Sequence, residues 1–111
     1  MARMFVKAFG AVFVSISYRL APENKFPTQQ NDGYDSAKWC AEHASELGAD
    51  PKQGFIMAGV SAGGNVTSAV VTKAIEEPLA HPFTGQYLGS MSFCVGSSFR
   101  VRETPILSCI C

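Results

Sequence analysis

The sequence predicts an α/β fold with a parallel sheet. Strand-like and helix-like patterns alternate along it in the order strand, helix, strand, helix, strand. Its strand-like runs are apolar almost throughout, which suits strands buried on both faces rather than a one-sided sheet. Its helix-like runs each carry one apolar stripe at three- and four-residue spacing.

Residues 2–9, "ARMFVKAF", read as the end of a helix that Gly10 closes. Residues 11–18, "AVFVSISY", are rich in β-branched and aromatic residues and read as a buried parallel strand. The same run follows Arg3 and Lys7 and so mimics a secretory signal. It leads straight into "SYRLAPEN" with no small-residue cleavage site, which favours the strand. "RLAPENKFP" is a turn-rich connection with Pro22 and Pro27. From Asn31 a helix is expected, with Tyr34, Ala37, Ala41, Ala44 and Leu47 on one face. Lys38, Glu42, Ser45 and Glu46 lie off that face, Gly48 ends the helix and Pro51 prevents its return. Residues 54–60, "GFIMAGV", form a second strand. A helix begins just after Ser61, with Val66, Ala69, Val70, Lys73 and Ala74 at helical spacing, and Pro78 stops it. Residues 87–95, "YLGSMSFCV", suggest a third strand, and no periodicity is visible beyond.

A chain of 111 residues makes one small domain, and 47% hydrophobic with 16% charged residues is a globular composition. Nine basic and nine acidic residues cancel. No basic patch points to nucleic acid or to an anionic membrane surface. No run reaches the roughly 18 apolar residues of a membrane span. Cys40, Cys94, Cys109 and Cys111 match no zinc spacing, so no metal or other cofactor is implied. Cys40 reads as a small buried apolar residue in a helix, and a reduced, cytoplasmic compartment is the default. The terminal Cys109-Ile110-Cys111 follows Ser108 and is not a prenylation box.

Chemistry concentrates at Gly59-Val60-Ser61-Ala62-Gly63. A G-x-S-x-G run between a strand and a helix is the setting of a nucleophile elbow. Such a turn strains the backbone at the serine, and Gly59 and Gly63 lack side chains that would collide there. Gly64 lets the helix pack close to the sheet. The helix start aims free N–H groups at the serine, which makes the Ala62 N–H the natural oxyanion donor. The competing reading is a plain tight strand–helix turn.

"YRLAPENKFP" followed some 40 residues later by "GVSAGGN" resembles the hormone-sensitive-lipase-like, fold-3 carboxylesterases of the α/β-hydrolase fold. Tyr18 to Glu23 match the family's tyrosine-arginine-leucine-alanine-proline-glutamate run, and Ser61 to Asn65 match its serine elbow. Asp32, Tyr34 and Trp39 stand where the family places such residues, and the likeness spans residues 3–88. The resemblance implies a partial α/β-hydrolase fold, a three-layer αβα arrangement with an incomplete parallel sheet. It divides the chain into a hydrolase region over 1–89 and a divergent tail over 90–111. It also implies that Ser61 is the nucleophile of an acyl-serine mechanism and that small esters are the substrates. Val60 replaces the family's acidic residue before the serine, and Ser17 replaces the aspartate often found before Tyr-Arg.

The partners of that serine are missing. In α/β-hydrolases an acid and then a histidine follow the nucleophile. No aspartate follows Asp50, the later acids are Glu76, Glu77 and Glu103, and the later histidine is His81. A helix of about 14 residues after Ser61 carries the chain roughly 20 Å away, whereas a base must come within about 3 Å. His43 reads as a surface residue. The family's His-Gly-Gly-Gly oxyanion loop, and the strand that carries it, are absent as well. The chain therefore reads as an internal piece of a larger hydrolase, expected to be inactive alone. Its exposed sheet edges are expected to promote self-association. The alternatives are a non-catalytic ligand-binding protein, as the plant gibberellin receptors are within this family, or a non-functional truncated fragment.

Overall fold

The computed structural model describes residues 2–90. Helix α1 spans Ala2–Phe9, α2 Thr28–Glu42 and α3 Ala62–Glu76; strands β1 and β2 span Ile56–Val60 and Gly85–Gly89. The strands pair in parallel, with Ile56 opposite Gly85 and Val60 opposite Gly89. Parallel strands need a crossover, and α3 supplies it, packing against both strands while α2 packs against α3. The result is a parallel β-α-β unit with α2 stacked on its crossover helix, and the sheet is the small, incomplete parallel one expected.

The apolar stripes of the helices form the core. Tyr34 and Ala37 of α2, Val66 and Val70 of α3, and Met57 of β1 are buried together, with Ile16, Tyr18, Leu79 and Phe83 packed against them. Ala41 and Ala44 are buried as the helical spacing requires. Helices α2 and α3 approach so closely at Gly33 that a Cβ there would lie 2.8 Å from Val66 Cγ1 and 3.0 Å from Val70 Cγ2. The Tyr34 hydroxyl donates to the Glu77 carbonyl at 2.7 Å, and Lys73 Nζ sits 4.5 Å from the Tyr34 ring centroid. Both contacts tie the middle of α2 to the far end of α3.

Three expectations need correction. Residues 11–18 form no strand. A parallel strand exists only through a neighbour's hydrogen bonds, and no described strand lies beside this run. Ile16 and Tyr18 still pack on the core, but Val12, Phe13 and Val14 are exposed. Helix α2 starts at Thr28, three residues before the expected Asn31, and ends at Glu42, with turns carrying the chain to Gly48. The last strand is Gly85–Gly89, so it begins before the expected 87–95 run; residues 91–95 lie outside the described residues. The 54–60 strand forms over its last five residues, and the helix end at Phe9–Gly10 forms as expected, with Gly10 N–H donating to Val6 O at 3.0 Å.

The turn after residue 18 is held by one ion pair. Arg19 donates from Nη2 to Asp32 Oδ1 at 2.8 Å, and from Nε and its backbone N–H to Asp32 Oδ2 at 3.0 Å each. These side-chain and backbone hydrogen bonds lower the Asp32 pKa to about 2.

Candidate active site

Strand β1 ends at Val60, α3 begins at Ala62, and Ser61 makes the whole turn between them. One residue can reverse the chain this sharply only outside the usual backbone regions. Ser61 has φ 55° and ψ −119°, a conformation that costs a non-glycine residue on the order of 1–3 kcal/mol. Three backbone hydrogen bonds hold it there. Its N–H donates to Gly89 O at 2.8 Å, and its carbonyl accepts from Gly64 N–H at 2.9 Å and Asn65 N–H at 3.3 Å. The elbow is thus fastened to the end of β2 on one side and to the first turn of α3 on the other.

The hydroxyl is the notable part. A serine at a helix N-cap ordinarily accepts a bond from the first turn. Ser61 occupies that position and makes no side-chain cap bond, and it is exposed. Ala62, the first residue of α3, has an N–H with no intrahelical acceptor and is exposed beside it.

The glycines divide into two kinds. A Cβ on Gly59 would run into the Gly63 carbonyl and come within 2.6 Å of Thr67 Oγ1. A Cβ on Gly63 would meet nothing within 4 Å, so the crowding expected at both positions exists only at Gly59. Gly64 is buried in the first turn of α3. Thr67, only 1% exposed, fills the space over Gly59. The motif spacing does not reveal Thr67 or the Gly89 tether, because both depend on how α3 and β2 dock.

The histidines are placed elsewhere. His43 caps α2, stacks on Trp39 at 4.5 Å between ring centroids, and has Nδ1 2.9 Å from Trp39 O. His81 lines a cleft with Ala41, Glu42, Asp50 and Lys52 that does not include Ser61. Glu76 and Glu77 are exposed at the far end of α3, which at 15 residues is about 22 Å long. A second cleft, between residues 14–17 and α2, does not include Ser61 either. No described helix is long and apolar enough to cross a membrane.

A strained serine between a parallel strand and the helix that follows it is the backbone geometry that the G-x-S-x-G run leads one to expect in an α/β fold. Residues 1–96 match the family described as alpha/beta hydrolase fold, and the chain belongs to that family. It is 47% identical over 83 residues to an AB hydrolase superfamily protein of Schizosaccharomyces pombe, covering 75% of this chain and 24% of that protein. It is 39% identical over 87 residues to carboxylesterase NlhH of Mycobacterium tuberculosis, covering 78% of this chain and 27% of the esterase. The crystal structure of EstE1, a carboxylesterase cloned from a metagenomic library, superposes with a TM-score of 0.71 at 41% identity, over 78% of this chain and 29% of that one. Gibberellin receptors of rice and Arabidopsis are also among the relatives. The chain spans about a quarter of the length of the curated relatives it matches.

Proposed function

We propose that this chain carries the nucleophile of a serine carboxylic-ester hydrolase and that, alone, it is an incomplete catalyst. Ser61 Oγ attacks the ester carbonyl carbon, and the carbonyl oxygen takes the developing negative charge toward the Ala62 N–H. Collapse of the tetrahedral intermediate expels the alcohol and leaves an acyl-Ser61 ester, which water then hydrolyses. Each step requires a base to take the hydroxyl or water proton, and a group to return one to the leaving alcohol. No described side chain near Ser61 serves for either. The reading rests on one observation above all: an exposed serine at φ 55° at a helix N-terminus whose hydroxyl is not used as a cap.

A fluorophosphonate probe tests both halves. Labelling of the full chain is expected to be weak or absent. Any adduct found by mass spectrometry is expected at Ser61 and lost in Ser61→Ala. Strong labelling abolished by Ser61→Ala would refute the incompleteness, and adducts spread evenly over the other serines would refute the elbow.

The distance of both histidines from Ser61 also suits a second reading, a ligand-binding protein without catalysis. Saturable binding of a carboxylate or ester ligand, unchanged in Ser61→Ala and without turnover, would favour it. Absence of both labelling and binding would leave the third reading, a fragment with no activity of its own.

A further inference from the structure

Strand β2 ends as β1 does, in a serine with positive φ. Val60 lies opposite Gly89 at the last rung of the ladder, so one residue further Ser61 and Ser90 stand side by side. Neighbouring strands run about 4.8 Å apart, which puts the two serine backbones roughly 5 Å from each other. The bond from Ser61 N–H to Gly89 O at 2.8 Å carries the pairing up to that point. The two residues have φ of 55° and 47°, and among the described residues no other non-glycine residue has a positive φ. Such a position ordinarily goes to glycine or asparagine. A different residue held there, at a strand end, is the kind of outlier that marks a functional site.

No described residue uses the Ser90 hydroxyl. Ser90 is exposed, and its side chain makes no hydrogen bond to another described residue. Its place beside Ser61 follows from the register of β1 and β2, and both strands and the helix that joins them lie within the described stretch. Gly89, which links the tether to Ser90, is closely packed: a Cβ there would lie 3.1 Å from Val60 Cγ2 and 3.2 Å from Tyr87 Cε1. Open parallel sheets bind ligands at the carboxyl ends of their strands, and both serines stand at that end. In the reading given above, the ester carbonyl lies over Ser61 Oγ with its oxygen toward the Ala62 N–H, on the α3 side. Ser90 stands on the other side of Ser61, toward β2. The oxygen of the ester left without a partner is the alkoxy oxygen, and a serine hydroxyl can donate to it.

We propose that Ser90 is a substrate-contacting residue whose hydroxyl donates to the alkoxy oxygen of the ester held over Ser61. The proposal rests on the ester-hydrolase reading of Ser61. The test uses the full chain, followed by amide NMR during titration with methyl butyrate or with its isostere ethyl propyl ketone, which lacks the alkoxy oxygen. The amides of Ser61, Ala62 and Ser90 are expected to shift together along one binding curve. The ester is expected to bind roughly threefold to tenfold more tightly than the ketone, as one hydrogen bond allows. Ser90→Gly should abolish that preference without lowering the urea midpoint, since glycine adopts this backbone without strain. Ser90→Asn tolerates the same backbone and keeps a donor, so it should restore the preference. Equal binding of ester and ketone by the unaltered chain would overturn the proposal, as would a preference that survives Ser90→Gly. Shifts at Ser61 and Ala62 that leave Ser90 unmoved would overturn it too, and all three results leave the elbow reading standing. If none of the three amides moves at about 50 mM ester, the proposal fails as well, and adduct formation at Ser61 with the fluorophosphonate decides the elbow reading separately.

Discussion

Replacing Gly59 by alanine tests the construction of the elbow most directly. The new methyl group would fall on the Gly63 carbonyl and within 2.6 Å of Thr67 Oγ1. Thr67 can rotate away, but the carbonyl belongs to the first turn of α3 and moves only with the helix. Restoring an ordinary carbon–oxygen contact requires α3 to lift from β1 by about 1 Å, which loosens Met57 against Val66 and Val70. Overpacking against rigid backbone costs ~3 kcal/mol or more. With a urea m-value of about 1–1.5 kcal/mol/M, the midpoint should fall by roughly 2 M or more, or the cooperative transition should vanish. The control is Gly63→Ala, where the methyl meets nothing within 4 Å and α3 exchanges glycine for a better helix former. That change should leave stability unaltered or raise it by about 0.5–1 kcal/mol. Urea unfolding followed at 222 nm on both variants is the assay. A Gly59→Ala midpoint close to that of the unaltered chain, or equal losses in the two variants, would refute the idea that close strand–helix contact at one glycine shapes the turn.

Acid should weaken the fold through Asp32. Hydrogen bonds from Arg19 lower its folded pKa from the ordinary aspartate value of 3.8 to about 2, so its contribution is present above pH 4 and lost as pH falls through 2. Asp32→Asn should flatten that part of the urea midpoint's pH profile, and an unchanged slope would deny the ion pair a role. Tyr34→Phe removes the 2.7 Å bond to the Glu77 carbonyl and should cost about 1 kcal/mol in urea unfolding. No loss would mean that water replaces the hydroxyl at that carbonyl.

Local patterns were legible from the sequence alone. The stripe Tyr34, Ala37, Ala41 and Ala44 is buried, as its spacing requires, and α3 begins immediately after Ser61. Helical periodicity records which face is covered, and the G-x-S-x-G run records a turn formed by adjacent residues. What failed was non-local. Residues 11–18 have every compositional mark of a strand, yet a strand is a relation between two segments and this one has no partner among the described residues. The tether from Ser61 to Gly89, 28 residues apart in sequence, depends on the register of β2, which no pattern in "GQYLG" discloses. Gly59 and Gly63 look equivalent in the motif, and only the docking of α3 onto β1 separates them.

The bond from Ser61 N–H to Gly89 O has a practical meaning for anyone wishing to move this turn into another scaffold. The strained residue is braced by a carbonyl that lies beyond the helix, past Pro78 and Pro82, at the end of the next strand. The transplantable unit is therefore not the five-residue motif, nor the strand, turn and helix, but the continuous stretch from Phe55 through Gly89. A graft cut short of Gly89 would release the serine's backbone toward ordinary geometry and return its hydroxyl to capping the helix.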